Sequence, residues 1–246
     1  MTSTTQEELY PHEKPTLSLV GDSFFYSGSD MSCGRIQDAI GLPHELEYNH
    51  HTDSEGTVYV VLGPRQHYFR CTRPKGGEIA AINASDIEDF DDMAIFLDEH
   101  DVERPAFLSM GLSGSFYIRA ENGAEKWDLP RAIRERLFGK AATGSQVQSI
   151  WLGCKDAFVA QRADGSKVVD LRGQYPGLER ALDRGRGSQN AASGNVVALA
   201  LNLYDGVRFA VLWGDGYAMC EAGMMEAASG KAFERWCSAN RFILSV

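Results

Sequence analysis

The chain has 246 residues, 43% apolar and 24% charged, with a net charge of −10. This is ordinary globular composition. It contains no run approaching the roughly 18 apolar residues that a membrane helix needs, and its acidic balance disfavours a nucleic-acid-binding surface. The charge is uneven. Residues 1–103 carry 6 Lys/Arg against 20 Asp/Glu, and residues 104–246 carry 18 against 14, so the second part is net basic by 4 and could present a basic face.

The cysteines Cys33, Cys71, Cys154, Cys220 and Cys237 are odd in number, widely spaced and without a CxxC pair. That argues against a disulfide framework or a zinc site and for a reducing, cytoplasmic compartment. Residues 1–14 lack the basic start and apolar core of a signal peptide and read as a flexible polar lead. The rest, 15–246, reads as a single domain of about five repeated units: 17–56, 57–103, 104–145, 146–194 and 195–246.

In the first unit, an apolar run at 17–21 ends in Gly21, residues 24–26 form an aromatic strand, and 36–40 are expected as a return strand before a short helix at 43–48. In the second, 58–63 is the apolar run, 68–70 the aromatic strand and 78–82 the return. Ser85 followed by Glu88 is a capping-box signal for a helix that carries Ile87, Phe90, Ala94 and Leu97 on one face and should end near Glu99. The third unit is the clearest. Residues 108–111 are the apolar run, 116–119 alternate, and Asn122-Gly123 is a strong hairpin signal. Residues 125–129 return with Trp127, and Pro130 opens a helix with Ile133 and Leu137 one turn apart.

The fourth unit repeats this order: 150–153, 158–162, the Asp164-Gly165 turn, 168–171 and a helix at 176–182. In the fifth, 196–201 is strongly apolar, 208–213 is aromatic, Asp215-Gly216 turns and 217–220 returns. A closing helix at 224–237 has Met225, Ala228, Ala232 and Trp236 as its apolar stripe, and a final strand at 242–246 is expected to complete the first unit's sheet. Gly21, Gly63, Gly111 and Gly153 stand 42, 48 and 42 residues apart, with Asn202 49 later. Periods of about 20–50 residues mark propellers, solenoids or related arrays.

The expected fold is therefore mainly β with short helices: about five repeats of three strands plus a helix, closed as a five-bladed propeller-like ring. Phe69, Phe116, Phe158 and Phe209 are expected to be buried and equivalent. An open stack, or two subdomains split near residue 104, is the alternative. The pattern LG-x(4)-FY-x-R-x(2)-NG-x(3)-W-x-LP across residues 110–130 resembles uncharacterised fungal repeat proteins built from Leu-Gly…Gly-Ser-Tyr/Phe…Asp-Gly…Trp…Leu-Pro units. Units one, two and five lack the return-strand Trp. The resemblance implies a repeat fold and brings no catalytic residue with it.

Sharper functional signals are weak. His44, His50 and His51 lie among carboxylates without metal-site spacing, the acidic segment 86–103 lacks the order of a calcium loop, and residues 214–223 lack the Lys-Ser/Thr of a phosphate loop. No metal and no cofactor is expected. Arg70, Arg119 and Arg162 recur at similar places in their units and could form an anion site, or else pair across strands with acids such as Glu121 and Asp164. Together with Asp22, Tyr26 and Tyr117 they are the candidate ligand-binding residues. They point to a binding protein with a small-molecule or peptide site at one end of the ring, with no nucleic acid or membrane as partner. The alternative is a cofactor-independent enzyme of specialised (secondary) metabolism, such as a cyclase, isomerase or group transferase with a central pocket.

Overall fold

The computed structural model describes residues 15–20, 23–28, 31–32, 55–74, 81–84, 88–102, 104–139, 147–184, 195–226 and 228–245. Among these, the chain is mainly β, in five small sheets. The first holds β1 (Thr16–Val20), β2 (Ser23–Gly28) and β3 (Met31–Ser32). The second holds β4 (Glu55–Leu62), β5 (Tyr68–Pro74) and β6 (Ala81–Ala84), and the third β7 (Phe107–Met110), β8 (Phe116–Arg119) and β9 (Glu125–Asp128). The fourth holds β10 (Val147–Leu152), β11 (Phe158–Arg162) and β12 (Lys167–Asp170). The fifth holds β13 (Val196–Leu201), β14 (Phe209–Trp213), β15 (Tyr217–Cys220) and β16 (Ile243–Ser245). Apart from β16, consecutive strands pair antiparallel. Helices α1 (Asp91–Glu99), α2 (Arg131–Phe138) and α3 (Pro176–Arg184) follow the second, third and fourth sheets. Helices α4 (Ala222–Glu226) and α5 (Ala228–Ala239) join β15 to β16.

The repeat is visible as geometry. After the first strand of units two, three and four, the N–H of Gly63, Gly111 and Gly153 donates to the carbonyl of His67, Ser115 and Ala157, at 2.8, 2.7 and 2.8 Å. Each bond closes a tight turn whose middle residue, Arg65, Ser113 or Lys155, is left-handed at φ 54, 56 and 52°. The glycines themselves are extended, so their role is space. A Cβ on Gly63 would stand 2.8 Å from Met110 Cε, one on Gly111 2.9 Å from Leu152 Cδ1, and one on Gly153 3.2 Å from Leu201 Cδ1. Each glycine thus receives the last side chain of the next unit's first strand.

The Asn/Asp-Gly hairpins also repeat. Gly123, Gly165 and Gly216 take φ of 88, 79 and 85°, a conformation that costs glycine little. Asn122, Asp164 and Asp215 each accept the N–H two residues on, the turn-holding role of these side chains.

Strand register corrects one equivalence. Leu62 pairs with Tyr68, Met110 with Phe116, Leu152 with Phe158 and Leu201 with Phe209. Tyr68 is therefore the counterpart of Phe116, Phe158 and Phe209, while Phe69 matches Tyr117 one step along. Two adjacent aromatics fit the same sequence pattern, and a slip of one residue exchanges faces. All four phenylalanines are buried.

Other expectations shift as well. Only residues 29–30 separate β2 from β3, which pairs with it as a hairpin at Met31–Ser32, and the return strand expected at 36–40 lies outside the described residues. Residues 36–48, with His44, lie outside the described residues, as do His50 and His51. Helix α1 begins later than Ser85 implies, with no side-chain bond at its Phe90 cap, and it buries Met93, Phe96 and Leu97. The closing helix buries Phe233, Trp236 and Cys237. Strand β16 pairs in parallel with β15, in its own sheet and not in the first one. The chain passes through α4 and α5 before returning, and a helical crossover places the two strands parallel.

Apolar side chains pack in layers between successive sheets. Val20 of the first sheet lies against Val60, Leu62 and Tyr68 of the second. Tyr59, Val61 and Phe69 of the second meet Met110, Phe116 and Ile118 of the third around α1. Tyr117 meets Ile150, Leu152 and Phe158 around α2. Trp151 and Val159 meet Leu199, Leu201 and Phe209 around Leu178 of α3. Ala200, Leu212 and Cys220 of the fifth sheet, with Phe233 and Trp236 of α5, pack on Leu17 and Leu19 of β1. Both faces of the first strands are covered, which is why they read as continuous apolar runs.

First strands also touch one another. β1 lies against β4 and β13, β4 against β7, β7 against β10, and β10 against β13. Each is an edge strand whose outward N–H groups need partners. The preceding unit supplies them. Leu62 N–H donates to Ser18 Oγ at 2.7 Å, Leu152 N–H to Ser109 Oγ at 3.2 Å and Val196 N–H to Gln161 Oε1 at 3.0 Å. The Leu108 backbone bonds the Tyr59 hydroxyl. Each such bond contributes about 1 kcal/mol net, and a buried N–H left bare would cost more.

Candidate functional site

Residues of β1, β4, β7, β10 and β13 all line a cavity of about 690 Å³. That size suits a small organic molecule, for which pockets of roughly 300–1,000 Å³ are usual. The wall is not uniform along the strands. At the ends that lead into the tight turns it is apolar: Leu62, Met110, Leu152 and Leu201, with Trp151 one residue earlier. At the strand starts Arg104, Arg119, Gln148, Gln161 and Asn195 stand beside apolar Pro105, Phe107 and Val197.

Local structure explains these positions. Arg119 stands at the end of β8 opposite Phe107, three residues before the end of β7, and Gln161 stands opposite Ser149 at the same level of the fourth sheet. In β10 the register shifts between Val147 and Ser149. Such a bulge re-aims a side chain, and Gln148 lines the cavity there. β4 and β13 shift register at the same place.

Two guanidinium groups define the electrostatics. Arg104 lies over the Tyr59 ring, 5.7 Å from its centroid. Burial holds the Tyr59 hydroxyl well above the usual phenol range, so it stays neutral. Arg119 Nε is buried and has no hydrogen-bond partner among the described residues. The one carboxylate among the lining residues is Glu121, which is exposed.

The six residues singled out from sequence fall in different places. Asp22 lies outside the described residues. Tyr26 is on β2 opposite Leu17. Arg70 is half-buried on β5 opposite Val60, and Arg162 is half-buried at the end of β11 opposite Val147. Tyr117 is fully buried between sheets three and four, its hydroxyl 3.0 Å from both Glu125 Oε2 and the Val147 carbonyl. Of the six, Arg119 lines the cavity.

The recurrence of the arginines is not an equivalence. They stand two, three and four residues beyond Tyr68, Phe116 and Phe158, and side chains alternate along a strand. Arg104, Tyr59, Gln148, Gln161 and Asn195 were missed. For Arg104, Gln148 and Asn195 the usable signal was a polar residue at or before the start of an otherwise apolar run.

At the opposite end, unit five departs from the others. Its connection from Asn202 to Phe209 is longer than the turns after Gly63, Gly111 and Gly153. From it, buried Leu203 lines the cavity. The next residue, Tyr204, reaches unit two, where its hydroxyl accepts the Arg65 N–H at 2.8 Å.

Among the described residues no group of His, Cys, Asp and Glu is placed to hold a metal, and no helix is long and apolar enough to cross a membrane. No family model matches the chain, and no curated protein matches it. Among solved structures, virginiamycin B lyase from Staphylococcus aureus is similar at 11% identity and a TM-score of 0.24, over 80% of this chain and 62% of that one. The chain thus spans less than two thirds of that protein's length.

Proposed function

We propose that the five sheets are the blades of one closed ring and that the chain is a binding protein, taking a small anionic molecule in the cavity along the ring's axis. The observation that carries this reading is a single cavity walled by the first strand of every unit and furnished with Arg104 and Arg119. Packing of Leu17 and Leu19 on the fifth sheet and α5 supports closure, because it joins the first unit to the last. Arg119 supports an anion, because its guanidinium places a cationic fork among the lining side chains.

Catalysis has less support. Acid–base chemistry needs paired titratable groups at the reacting atoms, and the described lining offers one exposed carboxylate. The test is a thermal-shift panel of small carboxylates, phosphates, amines and neutral molecules on the full chain. Stabilisation by anions alone is expected. Stabilisation by amines or neutral compounds only, or by none of the panel, overturns the reading.

A further inference from the structure

We infer that the ligand is an amphipathic monoanion: an acidic head at the end that carries Arg119, and an apolar body of limited length directed toward the turns. This rests on the cavity being the binding site, and it adds which chemistry the cavity selects. The first observation is that the charged side chains stand toward one end of the wall. Arg104, Arg119 and Gln161 gather at one end, whereas Trp151, Leu201 and Leu203 lie toward the other.

The second observation is that the apolar end is covered. Leu203 is buried there, and Tyr204 fastens the unit-five connection to the turn of unit two through the Arg65 N–H. The third is charge. Two arginines and one exposed glutamate leave a single net positive charge among the lining side chains. With Arg104 engaged over the Tyr59 ring, Arg119 is the fork available to a carboxylate, which it can hold through two parallel bonds.

Strand geometry sets the length. Arg119 stands opposite Phe107, and three residues separate that level from Met110. At about 3.3 Å per residue, this allows roughly 10 Å of apolar wall beyond the head. A medium-chain or compact aryl acid fits that depth, whereas a long-chain lipid does not. The apolar body thus lies toward the covered end and the acid beside Arg119.

The experiment is isothermal titration of the full chain with four probes: octanoate, octan-1-ol, acetate and palmitate. Octanoate should bind about ten-fold or more tighter than each of the others. Arg119→Gln should lower octanoate affinity to that of octan-1-ol and leave octan-1-ol unchanged, with the melting temperature recorded for every variant. Arg119→Lys, which keeps the charge and loses the fork, should fall between. It also serves as the second variant if Arg119→Gln proves unstable. Equal binding of acetate and octanoate would overturn the amphipathic assignment and leave an anion site standing. Palmitate binding as tightly as octanoate would overturn the length limit and the covered end. Failure of every anion to bind would overturn the underlying reading itself.

Discussion

Replacing Gly153 by Ala tests the packing rule that spaces the units. The new Cβ would stand 2.7 Å from the Tyr175 hydroxyl, 3.1 Å from Tyr175 Cε2 and 3.2 Å from Leu201 Cδ1. Tyr175 cannot swing away cheaply. It is fully buried, and its hydroxyl accepts the Cys154 N–H at 2.9 Å while donating to the Asn202 carbonyl at 2.5 Å. Overpacking of this kind costs about 1–3 kcal/mol. Tyr175→Phe in the parent should cost a similar amount, about 1–3 kcal/mol, because it strands the buried Cys154 N–H. In the Gly153→Ala background the same change removes the atom nearest the new methyl. Its cost should shrink, giving a coupling of at least about 0.5 kcal/mol between the two sites. Urea unfolding followed by tryptophan fluorescence measures all four proteins, with an unchanged m-value as the condition for comparing midpoints. A near-neutral Gly153→Ala, or single effects that simply add, would refute the claim that these glycines are held for space.

Separate expression of residues 1–103 and 104–246 should give no cooperatively folding half. The cut parts Val102 from Leu108 within one apolar layer and Leu17 from Ala200 within another, and a soluble, monomeric half with a sharp melting transition would sink the closed ring. Stability should fall as pH rises from about 9 toward 12, read as a declining urea midpoint. Burial pushes the Cys71, Cys220 and Cys237 thiols from 9.0 up to about 12, so the unfolded chain loses these protons first and the folded state is favoured only below that window. A flat profile over this range would contradict it. Ser149→Phe should abolish octanoate binding with little change in melting temperature, since the side chain would fill the cavity at the level where unit three already carries Phe107. Unimpaired binding would place the ligand elsewhere.

Much of the fold was legible because strands and turns write locally. Gly111 before a tight turn, Asn122-Gly123 at a hairpin, and Ile133 with Leu137 on a helix each need only neighbours in sequence to be read. Register was not legible at Tyr68-Phe69, where either ring could have been the repeat residue and only cross-strand pairing decides. The Arg spacing misled for a related reason. Arg70, Arg119 and Arg162 look periodic along the chain, yet a strand reverses its face at every residue, so nearly equal spacing does not give equal direction. Strand β16 was misassigned because an apolar terminal run says nothing about which sheet edge it finds; α5 settles that by carrying the chain back beside β15.

The site was legible least, because function resides where the units differ, whereas a repeat pattern reports where they agree. Three residues before the end of the first strand stand Leu17, Tyr59, Phe107, Ser149 and Ala198 in units one to five, and all five line the cavity. Equal side chains there would give a symmetric bore. The rings of Tyr59 and Phe107 against the small groups of Ser149 and Ala198 break that equality. Arg119 comes from unit three and Gln161 from unit four, so the acid proposed there would lie where these two units meet. Unit five closes the opposite end with Leu203 and Tyr204, using a connection longer than those of units two to four. Size asymmetry, charge placement and closure each arise from a departure from the repeat, and the three departures together favour one orientation for a bound acid.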